Sequence, residues 1–215
     1  MNGNHHRPSQ VAALPDLLTF SDGKPVESAN WPHRRTELFD SIIPHEFGGM
    51  PPTGDNTTAT RLSSYLIKPD RTVTFETYEV RVTLPSGEVS FIMELWIPEG
   101  DGPFPVLLTG DGCWRFFNDN AAADAVKRGY IAAAFNRASV AADNKERYRD
   151  TGIYRAVPDP TFGAVAAWAW GYHRCVDVLR ELDVVQGDQI AITGHSRGGK
   201  TALLAGATDE RIAIT

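Results

Sequence analysis

The sequence predicts an α/β domain with an open, mostly parallel sheet that is entered through an antiparallel hairpin. Three observations carry this. Residues 73–84 and 88–97 are rich in Val, Thr, Phe, Tyr and Ile, and the second run alternates cleanly at Val89, Phe91, Met93, Leu95 and Ile97, the period of a half-buried strand. Pro85-Ser86-Gly87 joins the two runs with turn residues. After residue 104 the pattern changes to short, continuous apolar runs alternating with helical ones, as expected of strands covered on both faces by helices.

The elements follow in order. Residues 1–60 read as an irregular N-terminal arm that lies over the domain, because they hold too few clustered apolar residues for a core of their own. Within the arm, Trp31 to Ile43 is a short helical candidate between Pro32 and Pro44, and Gly48-Gly49-Met50-Pro51-Pro52-Thr53-Gly54 is loop chemistry. Residues 61–215 form the domain proper. In the strand at 73–84 the alternation shifts parity near Thr77, which predicts a bulge. Val106-Leu107-Leu108 reads as a buried strand. Asp119 to Arg128 is an alanine-rich helix with Gly129 at the position after its end. Tyr130 to Phe135 is a second buried strand, and a charged loop runs from Asp143 to Asp150. Ala164 to Leu182 is a long helix with Val165, Trp168, Tyr172, Cys175, Val176, Leu179 and Leu182 on one face, and with Arg174, Asp177, Arg180 and Glu181 on another. Gln189 to Thr193 is a strand, Gly199 to Ala207 a helix, and Arg211 to Thr215 the start of one more strand.

Composition narrows the classes. With 21 Lys+Arg against 27 Asp+Glu, the net charge is -6, so there is no basic stripe for a phosphate backbone and nucleic acid is not an expected partner. The apolar run from Thr161 to Tyr172 is far shorter than the roughly 20 residues of a membrane span. The N-terminus, MNGNHHRPSQ, lacks the apolar run of a signal peptide, which predicts a cytoplasmic protein. The two cysteines, Cys113 and Cys175, have no metal spacing and read as buried thiols. No metal site and no cofactor are expected. His5, His6, His33 and His45 read as tail or surface residues, and His173 as structural.

The informative segment is Thr193-Gly194-His195-Ser196-Arg197-Gly198-Gly199-Lys200-Thr201, between a strand and a helix. It fits G-x-S-x-G, the nucleophile elbow of α/β-hydrolases. Gly194 to Thr201 also fits G-x-x-x-x-G-K-[ST], the phosphate-cradling P-loop. Both chemistries require glycines where a strand turns sharply into a helix N-terminus. Context favours the elbow, because a P-loop usually follows the first core strand and here four strands precede the motif. A P-loop nucleotide-binding protein is the competing reading, and a fragment without catalysis is a third. In the elbow reading Ser196 is the nucleophile and the Arg197 amide, at the helix start, is one oxyanion donor. The second donor falls on the Gly110-Asp111-Gly112-Cys113 turn, at Gly112 or Cys113. Trp114, Phe116 and Phe117 after that turn are read as core before sugar platform.

The stretch from Thr193 to Lys200, with Ala205-Gly206-Ala207-Thr208-Asp209-Glu210-Arg211 after it, resembles the glucuronoyl esterases of carbohydrate esterase family fifteen, whose elbow reads G-C-S-R-x-G-K. The resemblance extends through Trp168-Ala169-Trp170-Gly171 and Tyr130 to Arg137, and reaches Leu14-Pro15-Asp16 and Trp31-Pro32-His33-Arg34-Arg35. It implies an α/β-hydrolase fold and a serine esterase acting on 4-O-methyl-glucuronoyl esters or acetylated xylan. It also implies that the Arg197 guanidinium assists the oxyanion and that Lys200 hydrogen-bonds the hydroxyls of the uronate sugar. Fungal members carry a disulfide-bonded Cys before the nucleophile; His195 stands there in this chain, which implies bacterial-type relatives. The family's acid and His base would follow residue 215. Asp209 and Glu210 read as structural, the sheet is expected to be incomplete at its C-terminal side, and the 215 residues alone are expected to be inactive on p-nitrophenyl acetate.

Overall fold

The computed structural model describes residues 16–67, 73–112 and 119–215. The described residues fall into two compact units, divided between Ile43 and Pro44. In the first, a turn of 3-10 helix at Ser28–Asn30 leads into α1, Trp31–Phe47, whose last four residues belong to the second. The buried Arg34 organises this unit. Its Nε and Nη2 donate to the carbonyls of Leu17 and Asp16 at 3.2 and 3.1 Å, and its Nη1 pairs with Glu37. The helix continues past Pro44, where the sequence places its end. Pro44 removes one backbone donor near the helix end, and the last turn closes when Gly48, at φ 71, donates to the Pro44 carbonyl at 3.1 Å.

The second unit is built on six strands: β1 (Asn56–Ile67), β2 (Val73–Leu84), β3 (Gly87–Ile97), β4 (Phe104–Thr109), β5 (Ile131–Phe135) and β6 (Val185–Thr193). Their order in the sheet is β1-β2-β3-β5-β4-β6. The pairings from β1 through β5 are antiparallel, whereas β4 pairs parallel with both β5 and β6. Among the described residues, four α-helices fill the connections: α2 (Asp119–Lys127), α3 (Arg137–Val140), α4 (Ala164–Arg180) and α5 (Arg197–Thr208). Residues 211–215 start a further parallel strand beside β6, with Ile192 N–H on the Ile214 carbonyl and Ala213 N–H on the Ile190 carbonyl, both at 2.9 Å. Among the described residues no helix is long and apolar enough to cross a membrane.

β1 has no counterpart in the sequence reading. It is an edge strand whose residues face solvent almost throughout, so the alternation that marks a half-buried strand is missing. It also carries the bulge. Register shifts between Arg61 and Ser63 on β1, opposite Tyr78 and Thr77, while β2 keeps unbroken register with β3. The parity change in β2 has a different cause, the sheet's two covered faces. Tyr78, Val80, Val82 and Leu84 are buried on one face. On the other, Val73 packs against Ala122, Ala125 and Val126 of α2, and Phe75 meets Trp96 edge-on at 5.0 Å.

α4 is buried nearly all round, and Arg174, expected on a polar face, is buried with it. Arg174 is 5% exposed. It donates to the Thr53 carbonyl, pairs with Asp177 at 3.2 Å and lies over the Trp170 ring at 5.6 Å. The segment before β1 covers this face, and Trp170 Nε1 donates to the Pro52 carbonyl at 2.8 Å. Cys175 is a free, fully buried thiol whose pKa is pushed up by burial.

The α4–α5 joint holds His173. Its Nε2 lies 3.2 Å from the Ala205 carbonyl and 3.1 Å from Thr208 Oγ1. A carbonyl only accepts, so Nε2 carries the proton. Burial is the main cause that lowers the His173 pKa below its ordinary 6.5. The unfolded chain therefore binds a proton near pH 6.5 that the folded chain refuses, and this contribution to stability is lost as pH falls through 6.5 toward the lower folded value. Between pH 7.5 and 5 the thermal midpoint should fall, and His173→Gln, which keeps a donor but does not titrate, should flatten that slope in a pH series of melts. A second prediction isolates backbone strain. Gly129 ends α2 at φ 80 with open space around its Cα. Gly129 and Tyr130 N–H close onto the Val126 and Ala125 carbonyls at 3.0 Å each, the Schellman pattern. Gly129→Ala should cost about 1–2 kcal/mol in denaturant unfolding from the left-handed conformation alone, and Gly129→Asn less.

Candidate active site

β4 and β6 end side by side, with Thr109 opposite Thr193, and β5 ends beside β4, with Ala134 opposite Thr109. The chain leaves three neighbouring parallel strands at one edge of the sheet, and the three turns that follow meet there. This is where an open α/β sheet places its ligands.

The first turn, Gly110–Gly112, has no room for side chains at its glycines. A Cβ on Gly110 would lie 2.9 Å from the Tyr172 ring and 3.0 Å from the Phe135 ring, and one on Gly112 would lie 2.9 Å from the Phe135 carbonyl oxygen. The buried Tyr172 hydroxyl ties this turn to the end of β6. It accepts from Gly110 N–H at 2.6 Å and donates to the Thr193 carbonyl at 2.9 Å. Burial raises the phenol's pKa and keeps it a neutral donor. The second turn follows β5. Arg137 N–H donates to the Gly110 carbonyl at 3.0 Å, and Asn136 caps α3 by accepting from Ala138 N–H at 2.9 Å.

The third turn is the elbow. Ser196 sits at φ 53, ψ -114, a backbone conformation that a non-glycine residue holds only when its surroundings impose it. The glycines two before and two after it are sterically required. A Cβ on Gly194 would overlap the Gly198 carbonyl, and one on Gly198 would overlap the Asp111 carboxylate. Ser196 is exposed, and among the described residues its hydroxyl has no hydrogen-bond partner. α5 starts at Arg197, and Lys200 N–H donates to the Ser196 carbonyl at 3.1 Å.

Beneath the elbow lies a chain of alternating charges. Asp111 is 1% exposed. One carboxylate oxygen accepts from His195 N–H at 2.7 Å and the other from Arg137 Nη1. Arg137 is also buried, lies over the Trp168 ring at 5.0 Å, and reaches Asp143 with Nη2 at 3.2 Å. The other oxygen of Asp143 pairs with Arg197.

The structure thus brings together Ser196, Arg197, Lys200 and Gly112 of the residues predicted from sequence. Cys113 lies outside the described residues, as do Trp114, Phe116 and Phe117. The Arg197 guanidinium is held by Asp143 and the Lys200 side chain is exposed. Asp209 pairs with Arg211 at 2.6 Å. Burial raises its pKa, but the Arg211 hydrogen bonds outweigh this and hold the carboxyl below its ordinary value, consistent with a structural residue. His173 is committed at the opposite end of α5 from Ser196 and cannot serve it as a base. Sequence reasoning missed Asp111, Arg137 and Asp143 as site residues. Their only signal was position, each standing in a turn or charged loop after a strand end.

The P-loop reading fails on the same geometry. The pocket under the Gly194–Gly198 turn is filled by the buried Asp111 carboxylate, which already accepts the His195 amide. A phosphate would meet an anion there instead of free amides. A separate cleft of about 510 Å³ opens at the other end of the sheet, lined in part by Arg61, Glu76, Tyr78, Leu182 and Asp183. Its central Glu76 is satisfied by Tyr78 at 2.6 Å, Ser64 at 2.9 Å and Arg61 at 3.1 Å.

Comparison with known proteins identifies the family. The family model "Glucuronyl esterase, fungi" matches residues 80–215, more than half of the chain. A 4-O-methyl-glucuronoyl methylesterase of Phanerochaete carnosa is 32% identical over 210 residues, covering 94% of this chain and 48% of the relative. A glucuronoyl esterase from Teredinibacter turnerae superimposes with a TM-score of 0.80 at 25% identity, covering 93% of this chain and 54% of that one. A serine-to-alanine mutant of the Sporotrichum thermophile glucuronoyl esterase, solved in complex with methyl 4-O-methyl-β-D-glucopyranuronate, gives a TM-score of 0.70 at 26% identity over 94% of this chain and 51% of that one. The chain spans about half the length of the curated relatives it matches. The elbow, the strand order and the match across residues 80–215 converge: this chain has the α/β-hydrolase fold and belongs to the glucuronoyl esterase family.

Proposed function

We propose that this chain carries the nucleophile and the oxyanion side of a serine carboxylic ester hydrolase that acts on 4-O-methyl-glucuronoyl esters of plant cell-wall carbohydrate. The observation that carries the reading is the strained, exposed Ser196 at the tip of the elbow, where three parallel strands end. Strain of this kind persists only where the surrounding structure imposes it, and it clusters at active sites. The relatives, a 4-O-methyl-glucuronoyl methylesterase and a glucuronoyl esterase solved with methyl 4-O-methyl-β-D-glucopyranuronate, support the substrate class.

In this reading Ser196 Oγ attacks the ester carbonyl carbon once a base has taken its proton. The carbonyl oxygen becomes an oxyanion as the tetrahedral intermediate forms. The Arg197 amide, at the first position of α5, and the Gly112 amide donate to it, and the Arg197 guanidinium adds positive charge beside it. Collapse of the intermediate expels the alcohol and leaves an acyl-Ser196, which water hydrolyses. Lys200, one helical turn beyond Ser196, presents its ammonium to the uronate sugar hydroxyls.

A fluorophosphonate probe should label the full-length protein, and Ser196→Ala should abolish both labelling and hydrolysis of benzyl glucuronate. Arg197→Ala should lower kcat at least about tenfold on glucuronate and acetyl esters alike, because an oxyanion contact acts in the transition state. Lys200→Ala should raise KM for benzyl glucuronate and spare p-nitrophenyl acetate. Saturable ATP binding without labelling would overturn the reading, and equal losses on both esters for Lys200→Ala would remove its sugar-reading role.

A further inference from the structure

We propose that Asp143 is a positioning residue for hydrolysis: anchored by the buried Arg137, its carboxylate fixes the Arg197 guanidinium beside the place where the oxyanion forms. The proposal rests on the esterase reading above and adds to it a residue outside the elbow and the oxyanion turn.

The argument starts from Arg197 itself. Its side chain is 54% exposed, and a long exposed side chain samples many rotamers, so an unrestrained guanidinium would be oriented only on substrate binding. It is not unrestrained, since Nη1 bonds Asp143 Oδ1. Asp143 is a firm anchor because its side chain is only 10% exposed and its other oxygen, Oδ2, accepts from Arg137 Nη2 at 3.2 Å. Arg137 in turn has no freedom. It is 2% exposed, paired with Asp111 and stacked over Trp168, whose indole donates to the Ala141 carbonyl at 2.7 Å. The loop that delivers Asp143 is also fixed, because Ala142 N–H donates to Thr151 Oγ1 at 2.9 Å. One carboxylate thus joins a buried arginine that cannot move to an exposed arginine next to the nucleophile. The same carboxylate satisfies the Arg137 charge, so the connection costs no unpaired buried ion.

If Asp143 works through Arg197, its effect must depend on Arg197. The experiment is a double-mutant cycle on benzyl glucuronate in the full-length protein, with Asp143→Asn, Arg197→Ala, the double variant and Ser196→Ala as the reference for the esterase reading. Asp143→Asn should lower kcat about tenfold or more, change KM less than about twofold, and add less than about twofold in the Arg197→Ala background. A loss of equal size in both backgrounds would show a merely structural role and overturn the proposal, as would no loss in either. Turnover that survives Ser196→Ala would overturn the esterase reading, and the proposal with it, and is read from a different variant. Should Asp143→Asn fail to fold by circular dichroism, Asp143→Glu takes its place in the cycle. It keeps the charge and displaces it by one methylene, and its smaller kcat loss must likewise vanish without Arg197; a loss that persists overturns the proposal.

Discussion

The carboxylate of Asp111 is the point on which the site turns. It is buried at the end of β4, yet its two oxygens serve two other elements, the His195 amide on the elbow and the Arg137 guanidinium after β5. A buried carboxylate is costly unless it is paired and fully hydrogen-bonded. Here the partners that make it tolerable are the same ones that bring three turns together. Gly198 completes the arrangement by lacking a Cβ, since any side chain there would occupy the carboxylate's place. Removing one member of such a pair typically costs about 3–5 kcal/mol, because the other is left charged and unpartnered. The energetic coupling between neighbouring strand ends is therefore what holds Ser196 in a conformation it would not choose alone.

Tyr172 performs a neutral version of the same task. Its hydroxyl bridges the Gly110 amide and the Thr193 carbonyl, while its ring stacks edge-on against Phe135 at 5.0 Å and 86°. The aromatic core under the site and the hydrogen bonds within it are thus one structure. The close approach of Gly171 to Phe135 and Val140 lets α4 sit near enough to deliver that hydroxyl. The site is rigid because helix, strands and turns each satisfy polar groups belonging to another element.

How much of this was legible in the sequence differs by element. β3 announced itself through strict alternation, and β4 and β5 through short apolar runs, because burial on one or both faces leaves those marks. The elbow was legible because its steric demand for glycines at 194 and 198 is written in the chain. β1 was not, since an exposed edge strand needs no apolar pattern. The burial of Arg174 was not, since a charged residue at that helix position reads as solvated until the Thr53 carbonyl and Asp177 are known to face it. The parity change in β2 read as a bulge because a single sequence does not reveal that α2 covers the second face of the sheet near Val73. Asp111, Arg137 and Asp143 stand apart in sequence and become a charge chain only when β4, β5 and β6 end together. The Asp111–His195 bond spans the same gap as the pairing of β4 with β6, which no local pattern encodes.

The claim that Asp111 holds the elbow is tested most directly by native-state hydrogen exchange at the His195 amide, in the wild-type protein and in Asp111→Asn. The account predicts a protected His195 amide in the wild type and at least about a tenfold loss of that protection in the variant, with the Ile190 and Ile192 amides of β6 unchanged. A His195 amide that exchanges freely in the wild type, or equally slowly in both proteins, would contradict it.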